Sequence, residues 1–319
     1  IHADPEIGFD TVRTAARVAA ELRHAGLDVR EGIGRTGVVA DLEVPGARRC
    51  IALRADMDAL PMDEETDLPH KSQNPGAAHL CGHDAHTAML VGAARALVAD
   101  REELPCSVRF IFQPNEEALP GGAPAMIEDG CLEGVDRIFG MHVWPLIDTG
   151  RIGVVPGPAM AQPDTFTIEV TGKGGHAAAP HECIDPVVAG SAIVQSLQSI
   201  VSRGVDPLDA AVVSVTQVHG GTAHNVIPER IELVGTVRTF DAGVGERVRT
   251  RIEEIATSVA RSYGCRADLT MTIGYPVLVN DPDACAEAEA SIGPSVEVTR
   301  DARPSLGGED FAYYLQKVP

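Results

Sequence analysis

Between Thr11 and Val29 the apolar residues Val12, Ala15, Ala16, Val18, Ala19 and Leu22 recur at the three-to-four spacing of a helix with one buried stripe, and Gly26 supplies a stop. The pattern then changes period. Gly37 to Val44 and Cys50 to Ala55 are short runs of β-branched and aliphatic residues joined through Pro45-Gly46, which predicts two strands, the second delivering Asp56 and Asp58 at its exit. A helix is expected after the segment His79 to His86, running through Ala99, and Ser107 to Phe112 and Ile138 to Val143 read as further strands. Strands alternating with helices predict an α/β fold with a largely parallel sheet, in which ligands collect beyond the strand ends.

The texture shifts after Pro163. Asp164 to Thr171 alternates Phe166, Ile168 and Val170 with polar residues; a helix over Asp185 to Val201, strands over Ala211 to Val218 and Ile231 to Phe240, an amphipathic helix over Gly245 to Tyr263 and a strand over Ala267 to Ile273 follow. This β-α-β-β-α-β order predicts a split-βαβ, ferredoxin-like α+β domain over 163–274, inserted into a discontinuous domain formed by 1–162 and 275–319.

Charge and cysteine usage narrow the function classes. Lys plus Arg is 26 and Asp plus Glu is 46, a formal charge of −20, which repels nucleic acid and anionic membrane surfaces. No apolar run approaches the roughly 20 residues that span a bilayer, and Ile1-His2 opens no signal peptide, so a cytoplasmic setting without a membrane partner is expected. The start at Ile1 and the stop at Val318-Pro319 lead us to expect that the natural chain extends beyond both ends. Seven scattered cysteines form no paired framework and are expected to be reduced; among them Cys81 alone stands between histidines.

The candidate chemistry gathers at four strand exits: Arg54-Ala55-Asp56-Met57-Asp58, His79-Leu80-Cys81-Gly82-His83-Asp84-Ala85-His86, Gln113-Pro114-Asn115-Glu116-Glu117 and Met141-His142. One thiolate mixed with imidazoles and carboxylates suits zinc and its first-row neighbours rather than calcium or magnesium. Cys81 and His83 are one residue apart in a glycine-containing loop, close enough to serve one cluster. His86 opens the next helix, where supporting or capping roles compete with ligation. Adjacent carboxylates cannot face one way from extended chain, so of Glu116 and Glu117 one is expected to point at metal and one at substrate. A doubled Glu is usually a solvated pair, but this one ends an apolar strand beside Pro114. A lone histidine such as His142 is more often a hydrogen-bonded core residue, and the company of Cys81, His83 and Glu117 is what raises it. Asp58 is spaced to accept the second N–H of a ligand imidazole. Downstream, Gly172-Lys173-Gly174-Gly175-His176 is a glycine-rich turn without the Lys-Ser/Thr pair of a phosphate loop; Asn225 and Arg238 lie on neighbouring strands.

These segments, with Gly174-Gly175-His176, Asn225-Val226-Ile227-Pro228 and Gly308-Glu309-Asp310, resemble the dinuclear metallo-amidohydrolases that include aminoacylases, zinc carboxypeptidases and the hippurate and auxin-conjugate hydrolases; the likeness spans nearly the whole chain. The resemblance implies a zinc-exopeptidase-like catalytic domain carrying an inserted lid and dimerisation domain. It implies two divalent metal ions (Zn, Mn, Co or Ni) held by Cys81, His83, Glu117 and His142, with Cys81 in the bridging place. It further implies Glu116 as general base, Asp58 in support, and a small N-acyl amino acid as substrate. His176 would reach the active site of a dimer partner, and Asn225, Arg238 and Gly308 would bind substrate. Asp56 stands where other branches place a metal-binding histidine and is left outside the ligand set, and the family's final histidine ligand would follow the last residue of this sequence. Three alternatives stand beside this: a dipeptidase or carboxypeptidase of the same fold, a cysteine hydrolase with Cys81 as nucleophile, and a catalytically silent metal-binding scaffold.

Overall fold

A computed structural model describes residues 1–293, 295–299 and 302–319. The chain divides into two units, one built from Ile1–Gly157, Leu278–Arg303 and Glu309–Pro319, the other from Pro158–Val277 and Pro304–Gly308. Among the described residues no helix is long and apolar enough to cross a membrane.

The first unit is built on a five-stranded sheet. In chain order its elements are α1 (Val12–His24), β1 (Asp28–Ile33), β2 (Gly37–Leu42), β3 (Cys50–Asp56), α2 (His83–Ala99), β4 (Ser107–Gln113), α3 (Ala123–Glu128) and β5 (Arg137–Gly140), and the strand order is β1-β2-β4-β3-β5. The sheet is mixed rather than largely parallel: β4, β3 and β5 run parallel, but β1 pairs antiparallel with β2 and β2 antiparallel with β4. For the β1–β2 pair the reason lies in the link between them. Between Ile33 and Gly37 there is room for a tight turn only, through Gly34 (φ 58°) and Arg35 (φ 80°), and a turn that short cannot make the crossover that parallel neighbours need. Helices α1 and α2 cover one face, burying Val18, Ala19, Leu22, Leu90 and Ala94 against Val38, Ala40, Leu42, Phe110 and Phe112. Glu6 fixes the start of α1, its carboxylate accepting the backbone N–H of Arg13 (3.1 Å) and of Thr14 (2.7 Å) where the first helical turn has no internal acceptors.

What matters for chemistry is the direction of β3, β4 and β5. Because they are parallel, their carboxyl ends lie along one edge, with Asp56 in register with Gln113 and Arg54 in register with Gly140. The segments Asp56 to Asp58, Gln113 to Glu117 and Met141-His142 all leave the sheet there, where open α/β sheets place their ligands. The fifth strand is shorter than expected. It ends at Gly140, so His142 sits in the loop beyond it and not on the strand.

The second unit contains β6 (Gln162–Thr171), α4 (Pro186–Ser199), β7 (Ala211–Gly220), β8 (Arg230–Thr239), α5 (Ala242–Ser262) and β9 (Arg266–Thr272). The four strands form an antiparallel sheet in the order β7-β8-β6-β9, the arrangement of a ferredoxin-like split-βαβ domain. Phe166, Ile168 and Val170 of β6, alternating as period-2 residues must, pack with Leu233 and Val237 under Ile193 and Leu197 of α4 and Val248 and Ile252 of α5.

Candidate metal centre

Along the carboxyl edge of the first unit, two local backbone features bring the donors together. Gly82 caps α2 with φ 93°, and a Cβ there would stand 2.3 Å from Cγ2 of Val143, so only glycine supports this turn. It leaves His83 buried in the first turn of α2, with Cys81 one residue before the cap. Asn115 adopts φ 55° just after β4, a left-handed conformation that asparagine tolerates better than most residues.

That bend changes the fate of the two glutamates. The chain is not extended at this point, so both carboxylates turn toward the same imidazole: Nε2 of His83 lies 3.9 Å from Oε2 of Glu116 and 3.6 Å from Oε1 of Glu117. The expectation that adjacent carboxylates must diverge is corrected by the Asn115 turn. Asp58 holds the turn in place by accepting the N–H of Glu116 (3.0 Å) and of Glu117 (3.1 Å), and its Oδ1 lies 3.4 Å from Nδ1 of His83.

Cys81 is the hub. Its Sγ lies 3.4 Å from Nε2 of His142, and its thiol also contacts the side chains of His83 and Glu117. Cys81, His83 and His142 form one set of converging donors, and His83, Glu116 and Glu117 a second that shares His83. His142 donates from Nδ1 to its neighbour's carbonyl, Val143 O, at 2.6 Å, which leaves Nε2 as the nitrogen with a free lone pair.

A third layer was not assigned from sequence. Arg54, fully buried, donates to Asp56 (2.6 Å), Asp310 (2.9 Å) and Gln113 (3.0 Å) and lies 3.1 Å from Glu309. Glu309 and Asp310 thereby stand next to Glu116, whose Oε1 accepts the Asp310 N–H at 3.4 Å. A second doubled acid, Glu309-Asp310, following a glycine was the available signal, and its meaning depends on contacts made across more than 250 residues.

The electrostatics follow from burial and crowding. Burial, then the neighbouring carboxylates of Glu309 and Asp310, push the Glu116 carboxyl well above the usual carboxylate range. Burial raises Asp310 to about 7, with Glu309 adding to the shift and Arg54 opposing it. Burial works against a charged His83, yet Asp56 and Asp58 carry it up to about 12. The field at His83 therefore favours a cation. Among the described residues both ring nitrogens of His83 and Oε1 of Glu117 are buried without a hydrogen bond, His83 meeting the carboxylates of Asp58 and Glu117 only at 3.4 and 3.6 Å, a costly arrangement that a bound cation would relieve. The soft and borderline donor set, the favourable field and these buried atoms together fit divalent ions of the zinc type.

The remaining candidates lie in the second unit. His176 pairs in register with Val226, and the Ala177 N–H donates to Asn225 O at 3.0 Å, so His176 and Asn225 are neighbours on an exposed turn. Arg238 is half-buried on β8, opposite Pro163 and Val212. Gly308 packs on Pro163, whose Cγ would be 2.4 Å from an added Cβ, a steric reason for glycine that needs no ligand.

An α/β sheet with thiolate, imidazole and carboxylate donors along its carboxyl edge, carrying an inserted antiparallel domain, is the architecture of the metallohydrolase class. Residues 52–319 match the family described as Peptidase family M20/M25/M40, and the chain belongs to that family. It is 44% identical over 280 residues to an N-acyl-L-amino acid amidohydrolase of Geobacillus stearothermophilus, covering 88% of this chain and 76% of the relative. It is 40% identical over 319 residues to an N-acetyl-L-cysteine deacetylase of Bacillus subtilis, covering 100% of this chain and 76% of that one. The crystal structure of the Bacillus subtilis YXEP protein, a dinuclear metal binding peptidase from the M20 family, superposes with a TM-score of 0.84 at 39% identity, covering 100% of this chain and 83% of that one.

Proposed function

We propose that this chain is a metal-dependent amidohydrolase that cleaves the amide bond of N-acyl amino acids. The observation that carries this is the convergence of Cys81, His83, Glu117 and His142 on one spot beside Glu116. The names of the amidohydrolase and deacetylase relatives point to the same substrate class.

Cys81, His83, Glu117 and His142 would hold two divalent ions. The ions, when bound, act as Lewis acids that polarise the amide carbonyl and acidify water. Glu116 takes a proton from the attacking water and returns it to the leaving amine. Asp58 fixes both the glutamate turn and the His83 ring. Arg238 binds the substrate's free carboxylate, whereas Asn225, beside His176 on the turn at the far end of β8 from Arg238, acts together with that histidine. Arg238 is suited to its role because its neighbour Asp164 is already held by Arg249 at 2.6 Å, and a planar guanidinium matches a carboxylate bidentately. His176, exposed on its turn, serves the site of a second copy in a homodimer built through the inserted unit. The support for that dimer is an edge strand, β7, whose last five residues are all exposed, and the exposed Val187 and Val188 on α4.

The test is hydrolysis of hippurate, N-acetyl amino acids, an indole-acetyl conjugate and unblocked dipeptides by the full-length protein, before and after chelation and with Zn or Mn restored. Loss on chelation and recovery with metal, on the acylated substrates, is the expected result. Activity that survives chelation but is lost on thiol alkylation would transfer the chemistry to Cys81 as a nucleophile, and a preference for dipeptides would make the chain a peptidase of the same fold.

A further inference from the structure

His86 is buried in the first turn of α2, at 2% exposure, within reach of both donor sets, and the reading above gives it no task. Its ring stacks on His83 with centroids 5.4 Å apart and meets His142 edge-on at 4.6 Å. Composition alone would make it a fifth ligand, and Asp56, His83 and His86 do bring three donor atoms together.

The hydrogen bonds exclude ligation. The backbone N–H of Val143 points at Nε2 of His86 at 2.9 Å, and since a peptide N–H can only donate, that nitrogen is the unprotonated acceptor. The ring proton is therefore on Nδ1, which donates to Oδ1 of Asp56 at 2.6 Å. Both nitrogens are committed. Asp56 is spent as well: its other oxygen accepts from Arg54 at 2.6 Å, and its backbone carbonyl accepts the Thr87 hydroxyl at 2.8 Å.

What the relay holds is the loop after β5. His142 lies beyond the last sheet hydrogen bond, and its neighbours Met141, Val143 and Leu146 are exposed, so side-chain packing gives that loop little support. The backbone of Val143 is held at both of its polar groups: its N–H by His86, and its carbonyl by the Nδ1–H of His142, which turns Nε2 of His142 toward Cys81.

We propose that His86 is the positioning residue that sets His142 as a metal ligand, anchored through Asp56 to Arg54, and is not itself a ligand. The inference rests on the metal-centre reading given above. Orienting partners of this kind are typically worth 10–100-fold in metal affinity.

The experiment uses the full-length protein and its His86→Ala and His86→Gln variants, loaded with Co(II), with metal content measured by mass spectrometry and coordination by the visible Co(II) bands. The expected result for His86→Ala is one tightly held ion, a second weakened about 10–100-fold, and at saturating Co(II) the wild-type spectrum. His86→Gln, whose side-chain oxygen can still accept the Val143 N–H, is expected to recover part of the lost affinity. Wild-type affinity for both ions in His86→Ala would overturn the proposal, as would a saturated spectrum that has lost a nitrogen ligand. If the variants do not fold, histidine-labelled wild-type protein loaded with 113Cd decides by NMR: coupling to His83 and His142 but none to His86 is expected, and coupling to His86 overturns the assignment. A wild-type protein that binds no metal would instead sink the metal-centre reading itself, a result distinguishable from either.

Discussion

At the scale of single residues, the site separates groups that meet metal or substrate from groups that fix them. Glu116 is proposed for the first set, and Glu116→Gln should retain both ions while kcat falls on the order of 10²–10⁴-fold, read from metal content and turnover on one sample. Arg54 belongs to the second. It stands between Asp56, Glu309 and Asp310 with essentially no access to water, so Arg54→Met leaves buried carboxylates without a counter-charge. Breaking such a group from one side costs about 3–5 kcal/mol, which a denaturant midpoint would report; an unchanged midpoint would mean that the carboxylates take up protons at little cost. That Cys81, His83, Glu117 and His142 belong together could be suspected from the sequence because each carries a metal donor and the segments resemble those of one family; the structure brings these donors close. The roles of Arg54, Asp56, His86 and Glu309-Asp310 were not legible there, since their meaning lies in who faces whom across the fold. Asp56, left outside the ligand set with no task, has His86 on one carboxylate oxygen and Arg54 on the other.

At the scale of elements, the helices and the central strands were readable because each buries one face and shows its period. Strand β1 was not: Asp28–Ile33 has no buried residue, so no hydrophobic alternation betrays it, and without β1 the antiparallel half of the sheet could not be foreseen. The same limit applied to the Gln113 to Glu117 turn, where a left-handed asparagine decides the direction of two carboxylates and nothing in the hydrophobic pattern records it. The helix α2 start carries a sharper constraint. Gly82→Ala would have to place a Cβ against Val143 at a positive φ, and strain of this kind costs about 1–3 kcal/mol. Because Gly82 sits between Cys81 and His83, the variant is expected to lose metal affinity along with thermal stability. A variant that melts early but binds both ions normally would show that the strain relaxes into the Val143 loop without moving the donors.

At the scale of the whole molecule, a chain of formal charge −20 acting on an anionic amino-acid derivative must rely on local cationic groups to draw its substrate in. Arg238 is proposed to supply one on the inserted unit, and His176 a second polar group on the same unit, proposed to work on the partner's metal centre. On that proposal catalysis is a property of the dimer, and this can be tested without any structure of the complex. Glu116→Gln and His176→Ala homodimers should each be nearly inactive, the first because no site has its base, the second because no site receives the partner's imidazole. Mixing the two through unfolding and refolding, or by co-expression, forms heterodimers in which one site has both an intact Glu116 and an intact His176 from across the interface. With random pairing, half of the dimers are mixed and each carries one competent site of two, so activity should return to about a quarter of wild type. If His176 served its own chain's site, every site in the mixture would lack one group or the other and no activity would return. A protein that sediments as a monomer while fully active would remove the partner from the mechanism altogether, and would require His176 either to act within its own chain or to have no part in the reaction.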